Sequence, residues 1–377
     1  MNNLPPYLFA RIDEMKLEQQ KKGVDIIDLG VGDPDLPTPE HIVASLCEAA
    51  KNPDNHHYPS YLGMPAYRSA AADWYRSRFG VTLDAGKEVV ALMGSKDGIA
   101  HIAEAFVNPG DYVLAPSPGY PVYQTGALFA EGRVHEMPLV QKNNFVPVLD
   151  DIPKKVVRAA KLMFINYPNN PTAAVVPAGF YKEVVDFARD HNIVVVSDNA
   201  YSEIAYDGYQ APSFLETKGA MEVGIEMHSL SKTYNMTGWR IGMAVGNADI
   251  LSGLGRVKTN VDSGVFNAVQ HAAITALSGP QDCVKKACDI YKERRDVLIA
   301  GLRSLGFDVP APKATFYIWL PVNDCMAFSA KLLTEAGIVA TPGVGFGSSG
   351  EGYVRFAITR PVGRIKEAIE RMRRLSL

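Results

Sequence analysis

A lysine and an arginine lie eight residues apart in the stretch HSLSKTYNMTGWRIG, residues 228–242. Lys232 stands among serines and threonines, and Arg240 follows in the same turn-rich segment. Two cations held this close repel each other unless something anionic lies between them. The segment therefore predicts an anionic ligand at this place.

Polar residues also follow the ends of four proposed strands, where ligands of open α/β sheets bind. Ser95 and Lys96 open a helix after VVALM, and the N–H groups of a helix N-terminus bind phosphate, although Ser95 taken alone is as typical of an ordinary N-cap. The other strand ends carry aromatic, amide and acidic groups: Tyr120 and Tyr123 after DYVLAPS, Asn170 after KLMFI, and Asp198 and Tyr201 after NIVVV.

Most of these residues have an ordinary explanation when each is taken alone. Core packing explains Tyr120, and an Asn-Pro turn explains Asn170. Asp198 is different, because a carboxylate at the end of a buried parallel strand is costly without a cationic partner. Together the residues suit a planar ring with a protonated nitrogen, a phenolic oxygen, a phosphate and an aldehyde, which is the structure of pyridoxal 5'-phosphate.

Each part of that cofactor has a candidate partner. Asp198 would pair with the pyridinium nitrogen, Tyr201 would bond the phenolic oxygen, and Tyr120 would stack on the ring. Lys232 would bond the aldehyde, so that it no longer repels Arg240. The phosphate would lie near Arg240 and accept hydrogen bonds from Ser95 and Ser229.

The elements that must hold these residues follow an α/β pattern. Short apolar runs such as KEVVALMG, DYVLAPS, KLMFINYP, NIVVVSD, GIEMHSLS and IGMAVGN alternate with amphipathic stretches, which predicts a mostly parallel central sheet flanked by helices. A long amphipathic helix over 280–306 and the strands TFYIWLPV and GYVRFAIT predict a smaller α+β domain. We expect an N-terminal segment at 1–40 that packs with the small domain, a large ligand-binding domain at 41–279, and the small C-terminal domain at 280–377.

Composition and short motifs narrow the class of protein. The formal net charge of −3 gives no reason to expect nucleic acid or a membrane surface as a partner, and without a signal peptide pattern or long apolar run we expect a cytoplasmic protein. The four cysteines show no CxxC, and His56 and His57 have no third ligand at metal spacing, so we expect neither disulfides nor a metal. GFGSSG at 345–350 matches GxGxxG but precedes a strand-like segment, which argues against a dinucleotide site.

The motifs SLSKTYNMTGWRIG, YPNNPT, SDNAYSEI, PSPGYPVY and YVRFAIT resemble those of the fold type I pyridoxal-phosphate aminotransferases, over essentially the whole chain. The resemblance implies transamination, with Lys232, Asp198 and Tyr201 as catalytic residues and Asn170 as a second ligand of the phenolic oxygen. It adds Lys96 to the phosphate cradle, and Gly32 and Arg355 as substrate contacts with Asn170 beside them. It also implies a homodimer in which Tyr58 reaches the phosphate of the neighbouring subunit.

Within that superfamily, PPYLFARIDEMK, DLGVGDPDLPTPEHIV and GSKDGIAHI look most like the prokaryotic LL-diaminopimelate aminotransferases. This likeness implies LL-diaminopimelate as amino donor and 2-oxoglutarate as acceptor, with Lys96, Tyr61, Tyr7 or residues 259–264 as contacts for the distal end of the donor. The alternatives are aspartate, alanine or aromatic donors, a pyridoxal-phosphate C–S or C–C lyase, and the ligand-binding part of a transcription regulator. A regulator would need a DNA-binding module, for which the first 40 residues are too short.

Overall fold

The computed structural model describes residues 8–375, with side chains from residue 14 onward. Its strands are β1 (Ile27–Asp28), β2 (Val89–Leu92), β3 (Tyr112–Ser117), β4 (Arg133–Pro138), β5 (Ala160–Ile165), β6 (Val194–Asp198), β7 (Gly224–Ser229), β8 (Gly242–Gly246), β9 (Tyr317–Pro321), β10 (Ile338–Val339), β11 (Thr341–Pro342) and β12 (Tyr353–Ala357). Its helices are α1 (Leu8–Lys21), α2 (Glu40–Lys51), α3 (Pro65–Phe79), α4 (Ser95–Phe106), α5 (Val122–Phe129), α6 (Lys154–Ala159), α7 (Phe180–His191), α8 (Ala220–Val223), α9 (Leu230–Thr233), α10 (Ala248–Val261), α11 (Asn267–Ser278), α12 (Asp282–Ser304), α13 (Cys325–Ala336) and α14 (Val362–Arg373).

The central sheet has the strand order β2-β8-β7-β6-β5-β3-β4. Neighbours from β7 to β4 are parallel, whereas β8 runs antiparallel to both β2 and β7. The predicted α/β class with a mostly parallel sheet is therefore confirmed. All six predicted strands of this sheet are present, and their parallel members end at the same edge.

Successive residues of the central strands enter two different apolar cores. Val89 and Ala91 of β2 pack in the core formed with α2, α3, α7 and α11, whereas Val90 and Leu92 pack in the core formed with α4, α5 and α10. Because helices cover both faces of the sheet, nearly every position of a strand must be apolar. This is the physical origin of the continuous apolar runs in the sequence.

Strand β4, RVHEMP, was not among the predicted strands. It pairs only with β3 and forms one edge of the sheet, and most of its residues are partly or fully exposed. An edge strand needs fewer apolar residues because no strand pairs with its outer edge, which is open to solvent. The apolar pattern that reveals the other strands is therefore missing here.

The C-terminal part forms a separate small sheet with the antiparallel order β11-β12-β9 and has its own apolar core, to which α12 and α14 contribute. Strand β1 from the N-terminal segment pairs in parallel with β10 of this part. The predicted long helix is α12, which ends at Ser304, and Gly306 follows in the left-handed conformation with φ +92°. Segment 343–350 forms two short 3-10 turns that lead into β12.

No helix in the described part of the chain, residues 8–375, has the length and apolar character needed to cross a membrane.

Candidate active site

A cavity of about 370 Å³ lies at the carboxyl ends of β5, β6 and β7 and is closed on one side by residues of the C-terminal sheet. The structure brings eleven of the twelve predicted site residues into its lining and leaves out Tyr58. A larger cleft of about 880 Å³ between α3 and α12 contains none of them. The eleven are Gly32, Ser95, Lys96, Tyr120, Asn170, Asp198, Tyr201, Ser229, Lys232, Arg240 and Arg355.

Lys232 lies on the one-turn helix α9, directly after β7, and its amine enters the cavity. Its Nζ donates a hydrogen bond to the backbone oxygen of Gly32 at 3.0 Å. Burial lowers the pKa of Lys232 to about 8, although the charge of Asp33 acts in the opposite direction. The charges of Arg355 and Arg240 lower the pKa further. The lowered pKa therefore raises the fraction of the amine that is neutral, and thus nucleophilic, near neutral pH.

Asp198 ends β6, and its carboxylate is buried at the floor of the cavity. Oδ2 accepts a hydrogen bond from the hydroxyl of Tyr123 at 2.7 Å, whereas Oδ1 accepts none from the described residues. Burial raises the pKa of Asp198 to about 6, and the bond from Tyr123 acts against this rise. A buried carboxylate oxygen without a partner is costly, so this position suits a cationic group of a ligand.

The other end of the cavity has the features of an anion site. Helix α4 begins at Ser95, and Gly94 holds the N-cap position without a side-chain cap. The ordinary N-cap explanation for Ser95 is therefore wrong, and the first N–H groups of α4 are available to a ligand. Gly94 has φ +74°, and a Cβ there would lie 2.4 Å from Nη2 of Arg240. Only glycine lets the guanidinium lie this close to the start of the helix.

Two tyrosine hydroxyls meet between the central and C-terminal sheets. Tyr201, which follows β6, and Tyr317, the first residue of β9, share a hydrogen bond of 3.0 Å. The hydroxyl of Tyr317 also lies so close to Gly32 that a Cβ there would approach it to 2.1 Å. Residue 32 must therefore be glycine for its backbone to line the cavity beside Lys232.

Arg355 of β12 projects from the C-terminal sheet into the same cavity. Its Nη1 donates to Oδ1 of Asn170 at 2.8 Å, and its Nη2 donates to the backbone oxygen of Gly30 at 2.7 Å. The guanidinium carbon lies 4.3 Å from the ring centre of Tyr317 and 4.6 Å from that of Phe346. Both rings hold the guanidinium plane in a fixed direction, which suits bidentate binding of a carboxylate.

Tyr58 and Tyr120 differ in their position relative to the cavity. Tyr120 lines it and meets the ring of Tyr123 edge to face, with 5.8 Å between the ring centres. Tyr58 lies outside it on the surface, with 90% of its area exposed, in a separate depression that Gly264 and Phe266 also line. Within one chain, Tyr58 is therefore not part of this site.

The candidates for a distal substrate group are dispersed. Lys96 lines the cavity, whereas Tyr61 is half exposed and is not part of the lining. In segment 259–264, Asp262 forms an ion pair with the buried Lys258, with 2.8 Å between Nζ and Oδ2. Tyr7 lies outside the described residues. Among the described members of this set, Lys96 is thus the one that reaches the cavity.

Sequence reasoning missed two contributions. The sequence places Tyr123 beside Tyr120 but gives it no partner, whereas in the structure its hydroxyl binds Asp198 and its ring stacks on Phe164. Tyr317 was not considered at all, although it contacts Tyr201 and Arg355. A signal for Tyr317 was available, because it lies on a predicted strand that neighbours the strand of Arg355.

The cavity therefore combines an amine of lowered pKa, a buried carboxylate, an arginine held by two aromatic rings and the uncapped start of a helix beside a second arginine. The aminotransferase class I and II family matches residues 24–372 of the chain. The chain is 58% identical to the LL-diaminopimelate aminotransferase of Syntrophobacter fumaroxidans, with 99% of this chain and 97% of the relative covered. It is 54% identical to the enzyme of the same name from Aquifex aeolicus, with the same shares covered.

Solved structures share the fold of this chain over nearly its whole length. The substrate-bound structure of BacF from Bacillus subtilis has a TM-score of 0.95 and 39% identity, and 100% of this chain and 96% of that chain are covered. A probable N-succinyldiaminopimelate aminotransferase from Thermus thermophilus has a TM-score of 0.91 and 37% identity, with 97% and 99% covered. This chain belongs to the aminotransferase class I and II family. It is an aminotransferase, as the sequence motifs predicted.

Proposed function

We propose that this protein is a pyridoxal-phosphate-dependent LL-diaminopimelate aminotransferase, which moves an amino group from LL-diaminopimelate to 2-oxoglutarate in lysine biosynthesis. The observation that carries the cofactor assignment is the buried Oδ1 of Asp198, which lacks a hydrogen bond among the described residues in the cavity that also holds Lys232. The donor assignment is supported by relatives named for this activity that are 58% and 54% identical over nearly the full chain.

The residues of the cavity fit pyridoxal 5'-phosphate. Oδ1 of Asp198 suits the protonated ring nitrogen, and the lowered pKa of Lys232 suits an amine that bonds an aldehyde. Phosphate suits the start of α4, with Ser95, Lys96, Ser229 and Arg240 around it. When bound, the pyridinium ring supplies an electron sink for the pair released at the α-carbon of the substrate.

In the proposed transamination, several residues of the chain have separate roles. Arg355 binds the α-carboxylate of the amino donor with its paired N–H groups, and the backbone of Gly32 lies beside the donor. Lys232 moves the proton at the α-carbon, for which an amine with a pKa of about 8 is well suited near neutral pH. Asp198 would hold the ring nitrogen in its protonated form through its negative charge.

Three further residues would orient the ring. Oδ1 of Asn170 is engaged by Arg355, which leaves the Nδ2 donor of Asn170 for the phenolic oxygen of the cofactor. Tyr201 would donate to the same oxygen, and Tyr120 would stack on the ring. We also propose the domain division expected from the sequence, in which residues 1–40 and 280–377 close over the large domain at 41–279 and exclude water from the site.

The proposed assembly is a cytoplasmic homodimer with shared sites. Tyr58 and Phe266 are large exposed residues on one surface, with 90% and 44% of their area accessible. In the proposed dimer, Tyr58 reaches the phosphate of the neighbouring subunit, which explains why it lies outside the cavity of its own chain. Burial of these apolar groups at the interface favours association.

A panel of amino donors and oxo acceptors tests the proposed reaction. LL-diaminopimelate with 2-oxoglutarate should give the highest kcat/KM, and the meso isomer should be poorer because its inverted distal centre leaves polar groups unpaired. A far higher kcat/KM with aspartate, alanine or an aromatic donor would refute the donor assignment and leave the aminotransferase class intact. Release of an oxo acid without any acceptor would instead indicate lyase chemistry.

Borohydride treatment tests the cofactor assignment directly. The yellow protein should lose its colour and carry a pyridoxyl group on Lys232, as peptide mapping by mass spectrometry will show. Lys232→Ala should retain the fold and lose turnover by more than about 1,000-fold, because proton transfer by a positioned amine is lost. A pyridoxyl group on Lys96 would contradict the assignment.

A further inference from the structure

Tyr123 is fixed in place by contacts on two sides. It lies in the first turn of α5, is only 1% exposed, and stacks on Phe164 with 4.7 Å between the ring centres and 17° between the planes. Its hydroxyl donates to Oδ2 of Asp198 at 2.7 Å. The direction of this hydrogen bond is set, because an ionised carboxylate can only accept. The bond therefore stabilises the anionic form of Asp198 and fixes its orientation.

Other groups around Asp198 favour its neutral form. Burial is the largest influence, and the charge of Glu226 on the neighbouring strand β7 acts in the same direction. Tyr201 after β6 and Tyr317 of β9 are phenols close enough for the charge of Asp198 to raise the pKa of each. Tyr123 is the only side chain among the described residues that donates a hydrogen bond to this carboxylate.

The carboxylate of Glu226 accepts hydrogen bonds at both of its oxygens, although burial still raises its pKa. Side chains of Tyr75, Asn199 and Ser213 donate to Oε1, and Ser197 Oγ and the backbone N–H of Phe214 donate to Oε2. These donors counteract the effect of burial on the pKa of Glu226. Asp198 thus ionises beside a second buried carboxyl group, and the hydrogen bond from Tyr123 lowers the pKa of Asp198, with the backbone N–H of Ala200 acting in the same direction.

We propose that Tyr123 is a positioning residue that keeps Asp198 anionic and leaves Oδ1 directed at the ring nitrogen of the cofactor. This inference rests on the proposed pyridoxal-phosphate site. The hydroxyl acts through Asp198 and has no contact with the substrate. Its loss should therefore change the binding of the cofactor and its dependence on pH, with little effect on the KM of the amino donor.

The first test measures the affinity of the apoenzyme for pyridoxal 5'-phosphate by absorbance titration between pH 5 and 8. Tyr123→Phe keeps the ring that stacks on Phe164 and removes only the hydroxyl. A hydrogen bond to a charged group corresponds to about 10- to 100-fold in an equilibrium constant, so affinity at pH 7 should fall by about that factor. The pH at which the cofactor is released should rise, because Asp198 without its donor protonates at a higher pH.

Two variants complete this comparison. Tyr206→Phe removes a buried tyrosine hydroxyl that donates to the backbone oxygen of Thr315 at 2.7 Å, outside the cavity, and should leave affinity and release pH unchanged. Tyr123→3-fluorotyrosine keeps the hydroxyl and makes it a stronger donor, so the release pH should fall below that of the wild type. Equal losses in Tyr123→Phe and Tyr206→Phe, or a release pH unmoved by both changes at Tyr123, would overturn the proposal.

A double-mutant cycle with Asp198→Asn distinguishes an effect of the Tyr123 hydroxyl on the Asp198 carboxylate from an effect of Tyr123 on packing. Tyr123→Phe should have less than a twofold effect on cofactor affinity in the Asp198→Asn background, because no carboxylate remains to be stabilised. An undiminished effect in that background would show that Tyr123 acts through packing. If the wild type itself binds no pyridoxal phosphate, the proposed function fails; if it binds normally and Tyr123→Phe matches it, only this inference fails.

Discussion

Arg355 and Asn170 are joined across the cavity by a hydrogen bond of 2.8 Å between Nη1 and Oδ1. Arg355 belongs to the C-terminal sheet, and Asn170 follows strand β5 of the central sheet. The bond therefore links the two parts of the molecule at the place where a substrate carboxylate would be held. Both residues are buried, so the link is shielded from water.

Arg355→Lys should lower kcat/KM for the amino donor by about 100- to 1,000-fold, because lysine cannot replace two directed hydrogen bonds to a carboxylate. Steady-state kinetics will measure the change, and the visible absorbance should show unaltered cofactor content. Arg360→Lys is the matched control, since Arg360 donates to the backbone oxygen of Asp28 and does not line the cavity. Similar losses in the two variants would refute a specific carboxylate clamp at Arg355.

The attachment of pyridoxal 5'-phosphate to the apoenzyme should accelerate with pH and level off above about pH 8. Burial lowers the pKa of Lys232 to about 8, so the amine is mainly protonated below this pH and mainly neutral, and reactive, above it. Stopped-flow absorbance can follow the reaction from pH 6 to 10. A rate that keeps rising through pH 10, as for an ordinary lysine, would contradict the lowered pKa.

Mixed dimers should recover activity that neither parent variant has. If Tyr58 serves the neighbouring subunit, a dimer of one Tyr58→Ala chain and one Lys232→Ala chain contains one intact site and one doubly altered site. Refolding the two variants in equal amounts should then restore about a quarter of wild-type activity by random pairing. Sedimentation should show dimers in every sample. Mixtures without any recovery would place Tyr58 outside the neighbouring site.

Glu226→Gln should lower the free energy of unfolding by about 2–4 kcal/mol, because the amide nitrogen of glutamine cannot accept the hydrogen bonds directed at this buried carboxylate. Urea unfolding followed by circular dichroism will measure the change. Glu222→Gln, on the exposed surface of α8, is the control and should change stability by less than about 0.5 kcal/mol. Equal stabilities of the two variants would show that the donors around Glu226 contribute nothing net.

The site at the sheet edge could be predicted because its residues lie close to strand ends. Asp198 is the last residue of β6, and Lys232 lies three residues after β7. Both strands are recognisable as continuous apolar runs, and the carboxyl ends of parallel strands meet at one edge. Local patterns therefore placed these side chains together, and the residue types identified the chemistry that they support.

The sequence by itself determined the class of fold, the strands of the central sheet except β4, and the residues that follow them. Only the tertiary structure decided which partners those residues meet from distant segments. Gly30 and Arg355 are joined although 325 positions separate them, and Tyr317 reaches Tyr201 over a separation of 116. The tertiary structure also decided that Tyr120 lines the cavity while Tyr123, three residues later, binds Asp198. Periodicity shows which face of an element is buried, but the group that a buried hydroxyl contacts depends on how separate elements pack in three dimensions.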